Sequence, residues 1–500
     1  MKKIQIPYYP FLFAIFPVLA LMAYNKFEIR FGVIFRPLII CMLGCLAMYV
    51  ILYFILKRNW HKAAFLTGIT FLLFFSYGHF FNFFQSISLF ENIMGRHRYV
   101  VMVFGLIWVI VLTLVIFCNL RNDFSKLMNI IGLILIALPL IQMGTFYFTE
   151  AVTSSRYENG PVSDDVNVLE LSDPPDVYYI ILDMYARPDV LLEDYEIDVT
   201  DFIEEMESLG FYYAAESQSN YGETFTSLSS TLNLQLIGEV VQEHDIEPGS
   251  SDYQDLLIHS KTRALLESFK YQIIAFSTGY RWSEWSDADI YYQIKSTNPL
   301  SSLTPFEVLL FKTTVVYPFR GYLYEYLPDA DIDSADANVT QSRHIETQRN
   351  VLEILPGIPQ NKNATFTFAH LLIPHPPFVF DVDGSILEDP GYYSGESASA
   401  INEDYDLDGY TRQVKFISQQ ILSIFKTILA ESEVEPIIII QGDHGWKGDN
   451  RHKILNMYYF PNQDYEMLYP SITPVNSFRV VFDQFFGMDY DLLPDEVILQ

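Results

Sequence analysis

Four short segments carry the side chains most able to do chemistry. They are ILDMY with Asp183, NYGETFTSLSS with Thr224, HLLIPHPP with His375, and IIIIQGDHG with Asp443 and His444. Each sets a metal-ligating, nucleophilic or proton-carrying group beside an apolar run. Two carboxylates, imidazoles and a hydroxyl are the groups that a metal-assisted transfer of a phosphate-like unit requires. Asp443 and His444 follow a β-rich run directly and are flanked by Gly442 and Gly445, which permit tight turns. The competing reading makes Asp443 a helix cap and His444 a solvated side chain. Asp183 ends a buried run, where a carboxylate is costly unless paired or metal-bound; the alternatives are a helix N-cap or a salt bridge with Arg187.

Thr224 follows Gly222 where a helical pattern opens. A hydroxyl there can cap the helix, or it can meet a phosphate at the positive helix end and act as nucleophile. Thr226 and Ser227 are alternative nucleophiles. Pro374, Pro376 and Pro377 hold His375 in a stiff, extended loop. His375 can then donate to a phosphoryl oxygen, bind metal, or serve the loop alone. His370 belongs either to the preceding strand or to the site. His452, in NRHKILNMYYFP, suits a further substrate or second-shell role, or a plain surface position.

The elements that must position these groups read as an α/β sheet covered on both faces. Continuous apolar strand-like runs at 177–182, 272–277, 364–370 and 436–441 alternate with amphipathic stretches such as 199–210 and 411–429. Sites in such sheets collect at the carboxyl ends of strands, and Asp183, His370 and Asp443 all fall there. Residues 329–338 read as an acidic surface loop without Ca²⁺-loop spacing.

Upstream, five apolar stretches at about 8–24, 37–56, 63–84, 99–119 and 127–148 approach the roughly 20 residues that cross a bilayer. The first contains Pro7, Pro10 and Pro17 and lacks a clear cleavage site, so it does not read as a cleavable signal peptide. Basic residues after spans two and four, with Lys2 and Lys3, put the N-terminus inside and residues beyond the fifth span outside. Residues 151–175, rich in Gly, Pro, Ser and acids, read as a linker to a domain over 176–500. His79, Asn82 and Gln142 are polar groups within spans, to be read as helix–helix hydrogen bonds or as functional groups.

The charge divides with the chain. Residues 1–150 carry 12 Lys and Arg against 4 Asp and Glu, a balance of +8; the rest carries 19 against 57, a balance of −38. An acidic soluble half excludes a nucleic-acid partner, which needs a basic surface. All three cysteines, Cys41, Cys45 and Cys118, lie in apolar runs, so the domain over 176–500 has no disulfide or thiolate metal site.

The four segments, in this order, resemble the alkaline phosphatase/sulfatase superfamily. They are most similar to its membrane-anchored bacterial branch, which includes lipoteichoic acid synthases and phosphoethanolamine transferases. The resemblance implies five N-terminal spans and an extracytoplasmic sulfatase-like α/β domain. It implies a divalent metal held by Asp183, Asp443 and His444, with Thr224 as metal-bound nucleophile and His375 and His452 at the phosphoryl group. Zn²⁺, Mn²⁺ or Mg²⁺ suits that ligand set better than Ca²⁺. The implied reaction moves a phospho-head group from a membrane lipid donor to an envelope glycan or lipid. Alternatives are a hydrolase of phosphoric or sulfuric esters and an inactive envelope scaffold. Sulfatases use a Cys or Ser in a C/S-x-P-x-R frame; Thr-Phe-Thr-Ser-Leu here departs from it, and the Pro-rich IPHPPF loop departs from that of the transferases.

Overall fold

The computed structural model describes residues 6–26, 31–85, 97–117, 122–157, 173–243, 246, 251–293, 304–319, 332–387 and 403–498. The chain divides into two units. One comprises Met1–Phe148 and Thr297–Thr340, the other Thr149–Ser296 and Gln341–Gln500.

The first unit is built from helices α1 (Tyr9–Tyr24), α2 (Phe35–Ile55), α3 (Trp60–Gln85), α4 (His97–Phe117) and α5 (Asn122–Tyr157). The segments Phe31–Ile55, Trp60–Phe84, His97–Phe117 and Asp123–Phe148 are long and apolar enough to cross a membrane. α1, with 16 residues, is shorter. At 1.5 Å per residue it reaches about 24 Å, against about 30 Å of hydrocarbon. Four spans are thus clear by length where five were expected. Large apolar side chains stay exposed along α2, α4 and α5, including Ile40, Leu106 and Ile134. An aqueous surface rarely tolerates such bands, and a lipid one favours them.

Polar groups among these helices mostly satisfy one another. Asn129 Oδ1 accepts from the Tyr8 and Tyr9 amides at 3.0 and 2.9 Å, capping the start of α1. Trp108 Nε1 donates to Thr70 Oγ1 at 2.9 Å, and His61 Nδ1 lies 2.7 Å from Ser125 Oγ.

The division of the chain differs in two places from the boundaries read in the sequence. Residues 151–157 are helical, as the end of α5, and not linker; residues 158–172 lie outside the described residues. The second half of the chain is not one contiguous domain, because Thr297–Thr340 belongs with the first unit. There a short helix, α6 (Pro305–Lys312), buries Phe306 and Leu310 against Val18, Met22, Cys41 and Phe75. A capping box between Thr304 and Glu307 starts it, and the Glu307 carboxylate also takes a two-pronged ion pair from Arg36 on α2. The apolar stretch was too short to be read as a membrane-unit element. The acidic stretch expected as a loop is helical from Ile332, within α7 (Ile332–Ile354).

The second unit holds a seven-stranded sheet. Its strands are β1 (Val177–Leu182), β2 (Tyr212–Tyr213), β3 (Gln272–Phe276), β4 (Ile290–Tyr292), β5 (Thr365–Leu371), β6 (Ile437–Gln441) and β7 (Asn456–Tyr459), in the order β2-β7-β6-β1-β5-β3-β4. β6, β1, β5, β3 and β4 run parallel; β7 and β2 complete one edge antiparallel. β1 is buried along its whole length. Tyr178, Ile180 and Leu182 face one apolar layer, Val177, Tyr179 and Ile181 the other. Helices over both layers explain why these strands read as unbroken apolar runs. β2, β4 and β7, two to four residues each, lack that signature.

Candidate functional site

Parallel register brings the strand ends together. β1 lies between β5 and β6, with Ile181 opposite both His370 and Gln441. The chain therefore leaves β1 at Asp183 beside the point where it leaves β6 at Gly442-Asp443-His444. Backbone bonds lock the junction: the Asp183 amide donates to Leu371 O, and the Met184 amide to Asp443 Oδ1, both at 2.9 Å. Met184 sits in the left-handed region with φ 67°, a conformation that costs a methionine about 1 kcal/mol or more and persists where the surroundings impose it. Gly442 is required by close approach, since a Cβ there would lie 2.4 Å from Tyr185 O.

Asp183, Asp443 and His444 form a buried cluster whose ligand atoms all lie within 4.8 Å of one another. Asp183 Oδ2 meets His370 Nε2 at 3.1 Å, while its Oδ1 is buried without a partner. Asp443 Oδ2 is likewise buried and unpartnered in hydrogen bonding, 3.4 Å from His444 Nε2. His444 Nδ1 lies 2.8 Å from Gly445 O. A donor bond there leaves the Nε2 lone pair facing the carboxylates. Thr224 Oγ1 stands 3.2 Å from the same Nε2.

This donor set fits a cation. Buried carboxylate oxygens without donors cost several kcal/mol unless a positive charge meets them. Four-coordinate metal–N/O bonds of about 2.0–2.1 Å place neighbouring ligands about 3.3 Å apart. The two spacings from His444 Nε2, 3.2 Å to Thr224 and 3.4 Å to Asp443, match that edge.

Thr224 is the first residue of helix α8 (Thr224–Asn233), and Glu223 occupies the N-cap position. The Thr224 hydroxyl is therefore not spent on capping and projects where the helix presents free N–H groups. Thr226 Oγ1 donates to Glu223 O at 3.0 Å and Ser227 is buried, so the structure sets Thr224, and neither alternative, against His444. Arg187 donates to Asp189 at 2.7 and 2.8 Å and leaves Asp183 to His370 and the cluster.

Burial alone would raise the Asp183 pKa. The imidazoles of His375, His370 and His444 outweigh that and hold it below the usual carboxylate range. His375 thus reaches the site electrostatically, although its Nδ1 bonds to its own loop at Pro376 O. His452 Nδ1 lies 3.3 Å from Ser219 O, and its ring borders Gly222, two residues before Thr224. Burial, with Arg451 and His444 nearby, lowers the His452 pKa.

Sequence reasoning passed over two residues. Arg451 donates through Nε to Gly222 O at 2.6 Å, and its Nη2 stands 3.3 Å from His444 Nε2. It brings a fixed cation to the loop that precedes Thr224. His344 on α7 has a buried Nε2 without a partner; burial and His375 push its pKa down to about 3. Neither has a motif around it. Only the adjacency of Arg451 to His452 hinted at a role.

No protein-family profile matches the chain, and no curated protein sequence matches it. Several solved structures are similar. The C-terminal periplasmic domain of EptC from Escherichia coli, in complex with Zn, has a TM-score of 0.40 at 11% identity, covering 65% of this chain and 85% of that one. The integral membrane lipooligosaccharide phosphoethanolamine transferase A of Neisseria meningitidis has a TM-score of 0.38 at 10% identity, covering 96% of each chain. The lipoteichoic acid synthase LtaP of Listeria monocytogenes has a TM-score of 0.38 at 12% identity, covering 68% and 80%. At such scores these likenesses carry no weight for function here, which rests on the geometry of the cluster.

Proposed function

We propose that this chain is a membrane-anchored, metal-dependent phosphotransferase of the alkaline phosphatase/sulfatase superfamily. Its α/β domain would lie on the extracytoplasmic side of a bacterial cytoplasmic membrane. The observation that carries the reading is the Thr224 hydroxyl at a helix start, 3.2 Å from His444 Nε2 and beside two buried carboxylates with unpartnered oxygens. Asp183, Asp443, His444 and Thr224 would hold one divalent ion, with Zn²⁺ or Mn²⁺ best suited to the mixed imidazole and carboxylate set. Bound there, the ion would supply positive charge that favours the Thr224 alkoxide and the charged phosphoryl oxygens.

The chain's own groups account for the rest. Thr224 Oγ attacks the phosphorus of a phospholipid phosphodiester, and its proton passes to a neutral imidazole, His375 or His452. The bond from phosphorus to the diacylglycerol oxygen breaks, and that oxygen takes a proton from His375 or His452. The head group stays on Thr224 as a phosphodiester. A hydroxyl of an envelope glycan or lipid then attacks the phosphorus and loses its proton to the same imidazole, the bond from phosphorus to Thr224 Oγ breaks, and that oxygen takes the proton back from the imidazole. Arg451 and the first N–H groups of α8 face the anionic oxygens throughout.

The test is the intact mass of the full-length protein after incubation with phosphatidylglycerol or phosphatidylethanolamine and Zn²⁺ or Mn²⁺. A head-group-phosphate adduct that maps to Thr224 and is lost in Thr224→Ala is expected. A folded, metal-loaded protein that forms no adduct with either lipid, or a Thr224→Ala variant that retains full activity, overturns the reading.

A further inference from the structure

The loop that carries His375 leaves β5 at Leu372 and runs to Phe380. Pro374, Pro376 and Pro377 lack an N–H, so this stretch can join neither a helix nor a sheet ladder. Its backbone groups must find partners elsewhere. Gln413 supplies them from helix α9 (Glu403–Glu431), where it is fully buried. Its Nε2 donates to Pro374 O at 3.3 Å and to His375 O at 3.2 Å. Its Oε1 accepts from the amides of Val379 at 3.0 Å and Phe380 at 3.4 Å. Carbonyls on one side and amides on the other leave the side-chain amide a single orientation.

The root of the loop is fixed separately, by the Leu372 amide donating to Gln348 Oε1 on α7 at 2.9 Å. At the crest, Gln413 is, among the described residues, the one group outside the loop that hydrogen-bonds to His375. The ring is oriented from within. A carbonyl only accepts, so Nδ1 donates to Pro376 O and the Nε2 lone pair is left free. The ring lies near enough to the cluster to act on the charge of Asp183. Burial and the neighbouring Arg451 disfavour a proton on His452.

We propose that His375 is the imidazole that carries protons in the transfer reaction, acting through Nε2, and that Gln413 is its positioning residue. The proposal rests on the phosphotransferase reading above and narrows its two imidazoles to one. Nε2 takes the Thr224 proton as the new bond to phosphorus forms, and gives it to the diacylglycerol oxygen as the old one breaks. It then takes the proton of the acceptor hydroxyl and returns it to Thr224 Oγ. The ring is neutral before and after each half, so the protons balance. Such transfers need hydrogen-bond reach, and the reach of a side chain is only as fixed as its backbone. Gln413 touches neither phosphorus nor substrate; it holds the His375 carbonyl, and so the point from which the ring extends.

The experiment is a double-mutant cycle on the full-length protein. It reads the rate of adduct formation from phosphatidylglycerol or phosphatidylethanolamine with Zn²⁺. Gln413→Met should lower that rate about 10–100-fold and leave Zn²⁺ content and KM near wild type. In His375→Asn, which keeps a donor for Pro376 O and removes Nε2, Gln413→Met should cost nothing further. In His452→Asn it should cost the same factor as in the wild type. An equal loss in all three backgrounds, as a purely structural role gives, overturns the proposal. So does His375→Asn at the wild-type rate, an outcome that leaves the phosphotransferase reading standing on His452. Where Gln413→Met fails to fold, the isosteric Gln413→Glu carries the same cycle, since it still accepts from Val379 and Phe380 but loses at least one donor hydrogen. Carboxyethylation by diethyl pyrocarbonate, read by peptide mass, needs no turnover. Gln413→Met should raise the rate at His375 severalfold and leave His452 unchanged. An unchanged rate at His375 overturns the positioning role whether or not an adduct forms, whereas a wild type that forms no adduct overturns the phosphotransferase reading itself.

Discussion

Polar groups behave differently in the two units. In the helical unit most of them pair with each other: Asn129 with the start of α1, Trp108 with Thr70, His61 with Ser125. At the strand ends of the α/β unit, buried oxygens of Asp183 and Asp443 are left without donors. The first pattern is what a stable apolar unit requires. The second is destabilising unless a positive charge compensates it. Unsatisfied polarity alone does not mark the site, since the Tyr9 and Thr67 hydroxyls are also buried without partners; what marks it is a pair of buried carboxylate oxygens without donors beside an imidazole.

The sharpest way to break this contrast is at Thr224, the proposed nucleophile. Thr224→Ala should lower transfer by about 10³-fold or more while leaving metal content, measured by elemental mass spectrometry, near wild type. A variant that loses metal and activity together would recast Thr224 as mainly a ligand. Next come the unpartnered carboxylates. Asp443→Asn should weaken metal binding by about 10–100-fold, and the rise in Tm that added Zn²⁺ gives the wild type should shrink accordingly. A domain whose Tm ignores Zn²⁺ in both proteins would return the cluster to a structural role.

Glycine substitutions probe the packing side of the comparison. Gly78→Ala should cost about 1–3 kcal/mol, because a new Cβ meets backbone that cannot yield. Gly105→Ala, with open space around it, should be neutral or slightly stabilising. Thermal unfolding in detergent measures both, and equal effects would mean that α6 is not anchored through Gly78.

The smallest expected effect is on acid stability. The folded-state pKa of His344 lies near 3, below its ordinary value. The unfolded chain therefore takes up a proton below about pH 6.5 that the folded chain refuses. The stability this gives is fully present above about pH 6.5 and falls away as pH drops toward 3. Asp183, also held low, adds a further loss below about pH 4. The urea midpoint should fall between pH 7 and 4.5, and His344→Gln should flatten that slope.

Much of the candidate site's geometry was legible because it depends on local pattern. An apolar run followed by Asp, or by Gly-Asp-His-Gly, shows both a buried parallel strand and the group at its end. β1, β3, β5 and β6 lie within a residue of the expected runs. The strand ends of β1 and β6 were the right places to look for convergence. Arg451 and His344 were not legible, because their roles depend on neighbours distant in sequence and no repeating pattern surrounds them. β2 and β4 escaped notice because two or three residues cannot show a period. α6 read as part of the soluble half because eight residues, six of them apolar, are too few to register as a membrane element.

By itself, then, the sequence determined which stretches are buried, which end in ligand-type groups, and that the chain joins an apolar basic half to an acidic one. Those properties follow from hydrophobic periodicity and charge, which act over a few residues. Tertiary structure alone decided the rest. Parallel register set Asp183 beside Asp443, and the backbone bond from Met184 to Asp443 fixed which carboxylate oxygen stays free. Close approach at Gly78 returned residues 305–312 to the helices. Each of these is a contact between residues far apart in the chain. Its free energy comes from the whole packed arrangement, and no local stretch encodes it.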